Sequence, residues 1–160
     1  MNEFMEVAGT FFAYLGVAFA VLFSGMGSSK GVGLVGEAMS GVLIEDPNKF
    51  GQLLLLQALP ATQGIYGFVV GLMVMVTTGM INGTVGQLPL GQGLYIFASC
   101  LPIAFVGYYS AIRQGRVSAA AVNLVAKRPD QVSKGMVAAA MVETYAILSL
   151  LISLLLIIFM

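Results

Sequence analysis

Glu143 is the one acid in the segment MVETYAILSLLISLLLIIFM (141–160), which is otherwise uncharged and oily. An ionisable side chain at membrane depth costs about 2.5–3.5 kcal/mol on insertion scales and by default marks a functional site. Few polar residues are placed to join it. In QALPATQGIY (57–66), Pro60 interrupts the backbone ladder and leaves a carbonyl short of a donor, that of Leu56 four residues earlier. Thr62 and Gln63 follow at 15 and 16 positions after Pro47, and Glu143 stands 14 after Pro129, so the three share a depth. Gln114 and Glu143 average 128.5, the centre of the turn between them, which sets them level on adjacent antiparallel helices. A proton carrier needs only the carboxylate in an apolar surround. A hard cation needs several oxygens to replace its hydration water. Two amides, a hydroxyl, a freed carbonyl and one carboxylate suit Na+, with H+ as the alternative. One carboxylate balances one monovalent charge, which disfavours divalent ions.

Each of these residues also has a plainer reading. Glu143 is a candidate structural partner for Arg113 or Arg116. Thr62 can bond back to its own helix, and Gln63 can hold two helices together. Singly, the plain reading serves either residue as well. Jointly, the four polar side chains make a cluster of oxygen ligands.

The elements that position them follow from composition. The chain has 160 residues, 59% hydrophobic and 9% charged, with a mean hydropathy of +0.96. Such a composition cannot cover a soluble domain with polar surface, so the chain reads as an integral membrane protein. Zero net charge gives no basic field for nucleic acid. With no His and only Cys100, imidazole–thiolate metal sites, Cys–His catalysis and an intrachain disulfide are excluded. The acidic start, MNEFMEV, argues against a cleaved signal peptide. Residues 7–29 and 50–112 carry no charge, and TTGMINGTVGQLPLGQG (77–93) breaks the second run as a polar turn. The expectation is an all-α protein of four transmembrane helices near 8–40, 51–77, 92–126 and 132–159. They form two tandem helical hairpins, 1–80 and 81–160, the second carrying the carboxylate. Lys and Arg cluster at the first and third turns, so the positive-inside rule makes the turns near 41–49 and 127–134 cytoplasmic and both termini external in a multi-pass cell-membrane protein.

The halves share a layout. EDPNK (45–49) and KRPDQ (127–131) place Pro in a charged turn at an offset of 82, as do IYGFVVGL (65–72) and ILSLLISL (147–154). SGMGSSK (24–30) and SAIRQGR (110–116) match at 86, which makes the first turn region about four residues longer. Carried through at 82, the repeat sets Ala61 opposite Glu143, so two hairpins share one ionisable site. GVGLVG (31–36) has the dinucleotide fingerprint but continues an apolar helix instead of following a strand, so it is not read as a nucleotide site. It belongs with a stripe of small residues, Gly9, Ala13, Gly16, Ala20, Ser24, Gly27 and Gly31, down helix 1. Helix 3 has its own in Ala104, Gly107, Ala111, Gly115 and Ser118. Small stripes allow close helix packing and suggest a crowded layer shared by neighbouring subunits in a closed ring, although a compact monomeric bundle would show similar stripes.

LPATQGIYGF, AIRQGRV and MVETYAIL, in this order on two hairpins, resemble the membrane rotor-ring proteolipids (the K or c type) of V-type sodium-transporting rotary ATPases over essentially the whole chain. The resemblance implies a ring of identical subunits, surrounded by lipid and turned by central-stalk subunits against a stator membrane subunit that carries an arginine. The chain itself would hydrolyse nothing. It further implies that Glu143 is the ion-binding carboxylate, with Gln114, Thr62, Gln63 and the Leu59 carbonyl as ligands and Tyr66 donating to Glu143. The departure is Ala61, where close relatives often carry Gly. Besides a proton-carrying rotor, the remaining alternative is a passive oligomeric pore. A membrane enzyme is set aside, because no second acid, His or thiol accompanies Glu143.

Overall fold

The computed structural model describes residues 2–83 and 88–160. The middle of the central turn, 84–87, and the side chains of residues 2–6 lie outside what it describes. Five α-helices make four spans: α1 (Asn2–Glu45), α2 (Phe50–Ala58), α3 (Thr62–Thr77), α4 (Leu90–Lys127) and α5 (Val132–Ile158). The four spans are long and apolar enough to cross a membrane: Val7–Glu45, Pro47–Thr77, Leu90–Lys127 and Pro129–Ile158. The chain is therefore an all-helical, multi-pass membrane protein.

Two differences from the sequence expectation have physical causes. Helix 1 is predicted over 8–40 and runs from Asn2 to Glu45. At ~1.5 Å per residue it outruns a hydrocarbon layer of about 30 Å, so its charged end continues in water, where hydropathy gives no signal. The second span, predicted as one helix over 51–77, is broken. The 3₁₀ turn Leu59–Ala61 separates α2 from α3, with Pro60 at its start. Proline has no N–H for the ladder, and the tighter turn accommodates the gap.

The basic turns of both halves are 3₁₀ turns opened by proline, Pro47–Lys49 and Pro129–Gln131. Asp46 accepts from the Asn48 amide at 3.1 Å. Lys49 Nζ reaches across the chain to the Ala126 carbonyl at 2.8 Å and tethers the first turn to the end of α4.

The small stripes of α1 and α4 meet each other inside one chain. A methyl on Gly31 would lie 2.5 Å from the Ala111 carbonyl, and one on Gly115 would lie 2.5 Å from Gly31 Cα. Gly9 against Gly93 and Gly27 against Tyr108 are equally tight. Backbone therefore lies on backbone along α1 and α4, the arrangement that supplies dispersion contact between helices in lipid. The α1–α3 contact is as close, since a Gly67 methyl would fall 2.2 Å from the Ala20 carbonyl.

Two apolar clusters fill the bundle. One joins Ala13, Ala20, Val70, Val74, Ile96, Cys100, Ile103 and Ile157. The other, nearer the basic turns, joins Val35, Met39, Leu53, Leu56, Ala121, Val122 and Val125. Between them lies a layer of buried polar side chains, Ser28, Gln63, Ser110, Gln114 and Ser118.

Candidate functional site

The polar layer is assembled from α3, α4 and α5. Gln63 begins α3 directly after the proline turn and is fully buried. Gln114 is fully buried on α4, and Glu143 is half-buried on α5. Gln63 Nε2 donates to Gln114 Oε1 at 2.6 Å, and Gln114 Nε2 donates to Glu143 Oε2 at 3.2 Å. Tyr66, one turn beyond Gln63, donates its hydroxyl to Glu143 Oε1 at 2.6 Å. Each carboxylate oxygen thus has one donor, and the chain of bonds fixes Gln114 with its carbonyl toward Gln63. Gln63 Oε1 is buried and without a hydrogen-bond partner. A buried acceptor left unpaired costs about 1–3 kcal/mol; Ser118 Oγ, one turn from Gln114 in the same layer, is likewise buried and unpartnered.

Thr62 and Leu59 stand beside this group. Thr62 Oγ1 donates to the Leu59 carbonyl at 3.0 Å, and the Thr62 amide closes the 3₁₀ turn on the same carbonyl. The turn therefore brings two oxygens together one residue before Gln63. Leu59 O, and not only the Leu56 carbonyl that the proline argument named, is displaced from ordinary α-helical pairing.

The arginines are not partners of Glu143. Among the described residues the ion pair present is Lys49–Asp46, at 3.6 Å. Arg113 and Arg116 are exposed on α4. Arg113 is one residue from Gln114 and so about 100° around the helix.

Two serines that sequence reasoning passed over hold the frame. Ser28 Oγ accepts from the Gly64 amide at 2.7 Å, which pins the start of α3 to α1. Ser110 Oγ donates to the Val142 carbonyl at 3.1 Å and fixes α5 next to Glu143. The available signal was spacing: Ser110 sits four residues before Gln114, on the same helix face.

What this arrangement can do follows from its atoms. Among the described residues no group of three or more His, Cys, Asp or Glu side chains converges. One carboxylate beside two amides, a hydroxyl and a displaced carbonyl can exchange one monovalent cation or one proton, and has no second group for bond-making chemistry.

A helical hairpin pair with one membrane-embedded carboxylate is the plan of a rotor-ring protein, and the comparison bears this out. The chain belongs to the ATP synthase C-subunit family, whose model matches residues 15–74 and again 97–156. Members are non-catalytic membrane rotor subunits that form rings in ion-translocating ATPases. The chain is 48% identical to the V-type sodium ATPase subunit K of Enterococcus hirae over 149 residues, 93% of this chain and 92% of that one. It is 38% identical over 144 residues to the A-type ATP synthase subunit K of Methanocaldococcus jannaschii, 90% of this chain and 60% of that longer one. Both ends of the two family matches stand 82 apart (97 − 15 and 156 − 74). In the bundle Gly31 lies against Ala111 and Gly115, so α1 and α4 also stand level at an offset of 82.

Proposed function

We propose that this rotor protein binds and carries one Na+ per chain at Glu143, with Gln114, Gln63, Thr62 and the Leu59 carbonyl as the other oxygen ligands. The observation that carries the reading is the unpartnered Gln63 Oε1, buried beside Gln114 Oε1 and next in sequence to the Thr62–Leu59 oxygen pair. With no cation between them, the two amides bond to one another. A cation next to Gln114 Oε1 repels the Gln63 amide protons and favours the rotamer that presents Gln63 Oε1. The orphaned acceptor then gains its partner. Glu143 balances the single charge, so the loaded site is neutral and able to pass through lipid. Tyr66 stays on the other carboxylate oxygen and holds Glu143 turned inward.

The word sodium in the name of the Enterococcus hirae relative, at 48% identity, supports Na+ over H+. In this reading the ring is made of identical copies turned by central-stalk subunits, and an arginine of the stator membrane subunit releases the ion. The termini face outward and the basic turns face the cytoplasm.

Carbodiimide labelling of Glu143 in membranes tests the ion. Na+ at neutral pH protects Glu143 from modification if the site is a sodium site. Labelling indifferent to Na+ but slowed by raising the pH overturns the sodium reading in favour of protons.

A further inference from the structure

Gly31 lies against Ala111 and Gly115 and so stands level with Arg113, 82 positions on, and the surfaces around the two differ. Around Arg113 lies a groove of about 790 Å³ between α4 and α5. Phe105, Tyr109, Arg113 and Arg116 line it from α4, and Met141 and Tyr145 from α5. Among the described residues no acid lines it, and neither guanidinium forms an ion pair. On α1 a second small face is left open. Methyls on Gly25 or Gly33 would meet nothing within 4 Å, whereas Gly27 and Gly31 are pressed onto α4. Ser29 lies between Gly25 and Gly33 at four-residue spacing, and Glu37 follows one turn after Gly33. Ser29 and Glu37 are exposed, and Glu37 has no ion pair among the described residues.

We infer that the α4–α5 groove of one copy receives α1 of the next, with Arg113 packed against the next copy's Ser29 and Gly33 and Arg116 paired with the next copy's Glu37. This rests on the ring reading above and names the faces that meet in it. The repeat supplies the geometry. Within the chain Gly31 packs on Ala111 and Gly115, whose counterparts 82 positions earlier are Ser29 and Gly33. Repeating the α1–α4 contact once more brings Arg113, the counterpart of Gly31, onto Ser29 and Gly33 of the next copy. A long side chain there needs a partner face without bulk, and the open Gly25–Ser29–Gly33 face provides it. Charge agrees, because the groove presents two cations and no anion, while Glu37 is the acid that continues the α1 face. Arg116 lies about half a turn, and Glu37 about one and a half turns, beyond the level of Gln114 toward the basic turns. They therefore stitch neighbouring copies together without touching the carboxylate.

The test is disulfide formation in the assembled membrane complex. Gly33→Cys and Arg113→Cys are combined with Cys100→Ala, which removes the remaining thiol. Oxidation is expected to give a ladder of dimers and larger multimers on denaturing gels. Monomer alone, in membranes where Na+ still protects Glu143 from carbodiimide, overturns the seam and leaves the sodium site standing. A charge exchange tests the pairing. Glu37→Arg or Arg116→Glu alone should lower the temperature at which the detergent-solubilised ring dissociates, and the two together should restore it. A double variant no better than the single ones overturns the ion pair.

Discussion

The two halves of the chain share a scaffold and differ in chemistry. At an offset of 82, Leu59 corresponds to Met141 and Thr62 to Thr144, and both threonines donate to the carbonyl three residues back, at 3.0 Å and 2.8 Å. Ser28 corresponds to Ser110, and each bonds the backbone of the neighbouring hairpin arm. At the decisive places the halves part. Ala61 stands opposite Glu143, Val32 opposite Gln114, Tyr145 opposite Gln63, and Leu148 opposite Tyr66. Tyr145 and Leu148 are exposed, whereas Gln63 is fully buried. A threonine back-bond is therefore a scaffold feature common to both halves. What marks a site is the convergence of amides and a carboxylate from three helices. The first half supplies Gln63, Thr62 and the proline turn, and the second supplies Gln114 and Glu143, so neither half is a site alone.

The contrast between the halves is greatest at the one position where a methyl in the first is a carboxylate in the second. Glu143→Gln should reduce ATP-driven transport to background while the ring still assembles, because the near-isosteric amide is cheaper to bury than the charge. Transport assays on reconstituted complex, with ring recovery on a native gel, check both parts of that statement; normal pumping would remove Glu143 from the site.

Next come the two threonines. Thr62→Ala, like Gln114→Ala, should weaken Na+ affinity by about tenfold or more, the worth of one charge-assisted contact. Thr144→Ala, which loses the same kind of back-bond on an exposed face, should leave affinity unchanged. Na+ titration of the carbodiimide protection measures all three. Equal effects at Thr62 and Thr144 would show that the scaffold bond, not ligation, was being read.

Packing gives a smaller contrast. Gly67→Ala puts a methyl 2.2 Å from the Ala20 carbonyl, an overpacking that costs about 1–3 kcal/mol. Gly41→Ala, with nothing within 4 Å, should cost nothing. Thermal unfolding of the two solubilised variants separates them. Smallest is Tyr66→Phe. It removes one of two donors to Glu143 and should weaken Na+ binding only a few-fold, about 0.5–1.5 kcal/mol, visible as a shifted midpoint in the same titration.

Legibility in the sequence divided along the same line. The level of Gln114 and Glu143 was readable, because two straight antiparallel helices joined by a short turn make depth a matter of counting from Pro129. The four spans were readable because apolar runs broken by charged or glycine-rich turns have no soluble interpretation. Three things were not. The 3₁₀ turn at Leu59–Ala61 depends on how α1 receives Pro60, which packs against Gly31, and local sequence names only the broken hydrogen bond. The partner of the small stripe was left open, because stripes report close approach and not whether the approaching helix belongs to the same chain. Ser28 and Ser110 were passed over, since a serine among glycines reads as one more small residue until the backbone group facing it is known.

Everything proposed for the ion turns on one sodium seated among oxygens contributed by both halves of one chain. A structure of the assembled ring soaked in Na+ would decide it. One ion per chain is expected, contacted by Glu143, Gln114, Gln63, Thr62 and the Leu59 carbonyl, with the Gln63 amide turned to present Oε1. A ring saturated with Na+ in which the two amides remain bonded to each other, with no density between them and Glu143, would contradict the sodium site.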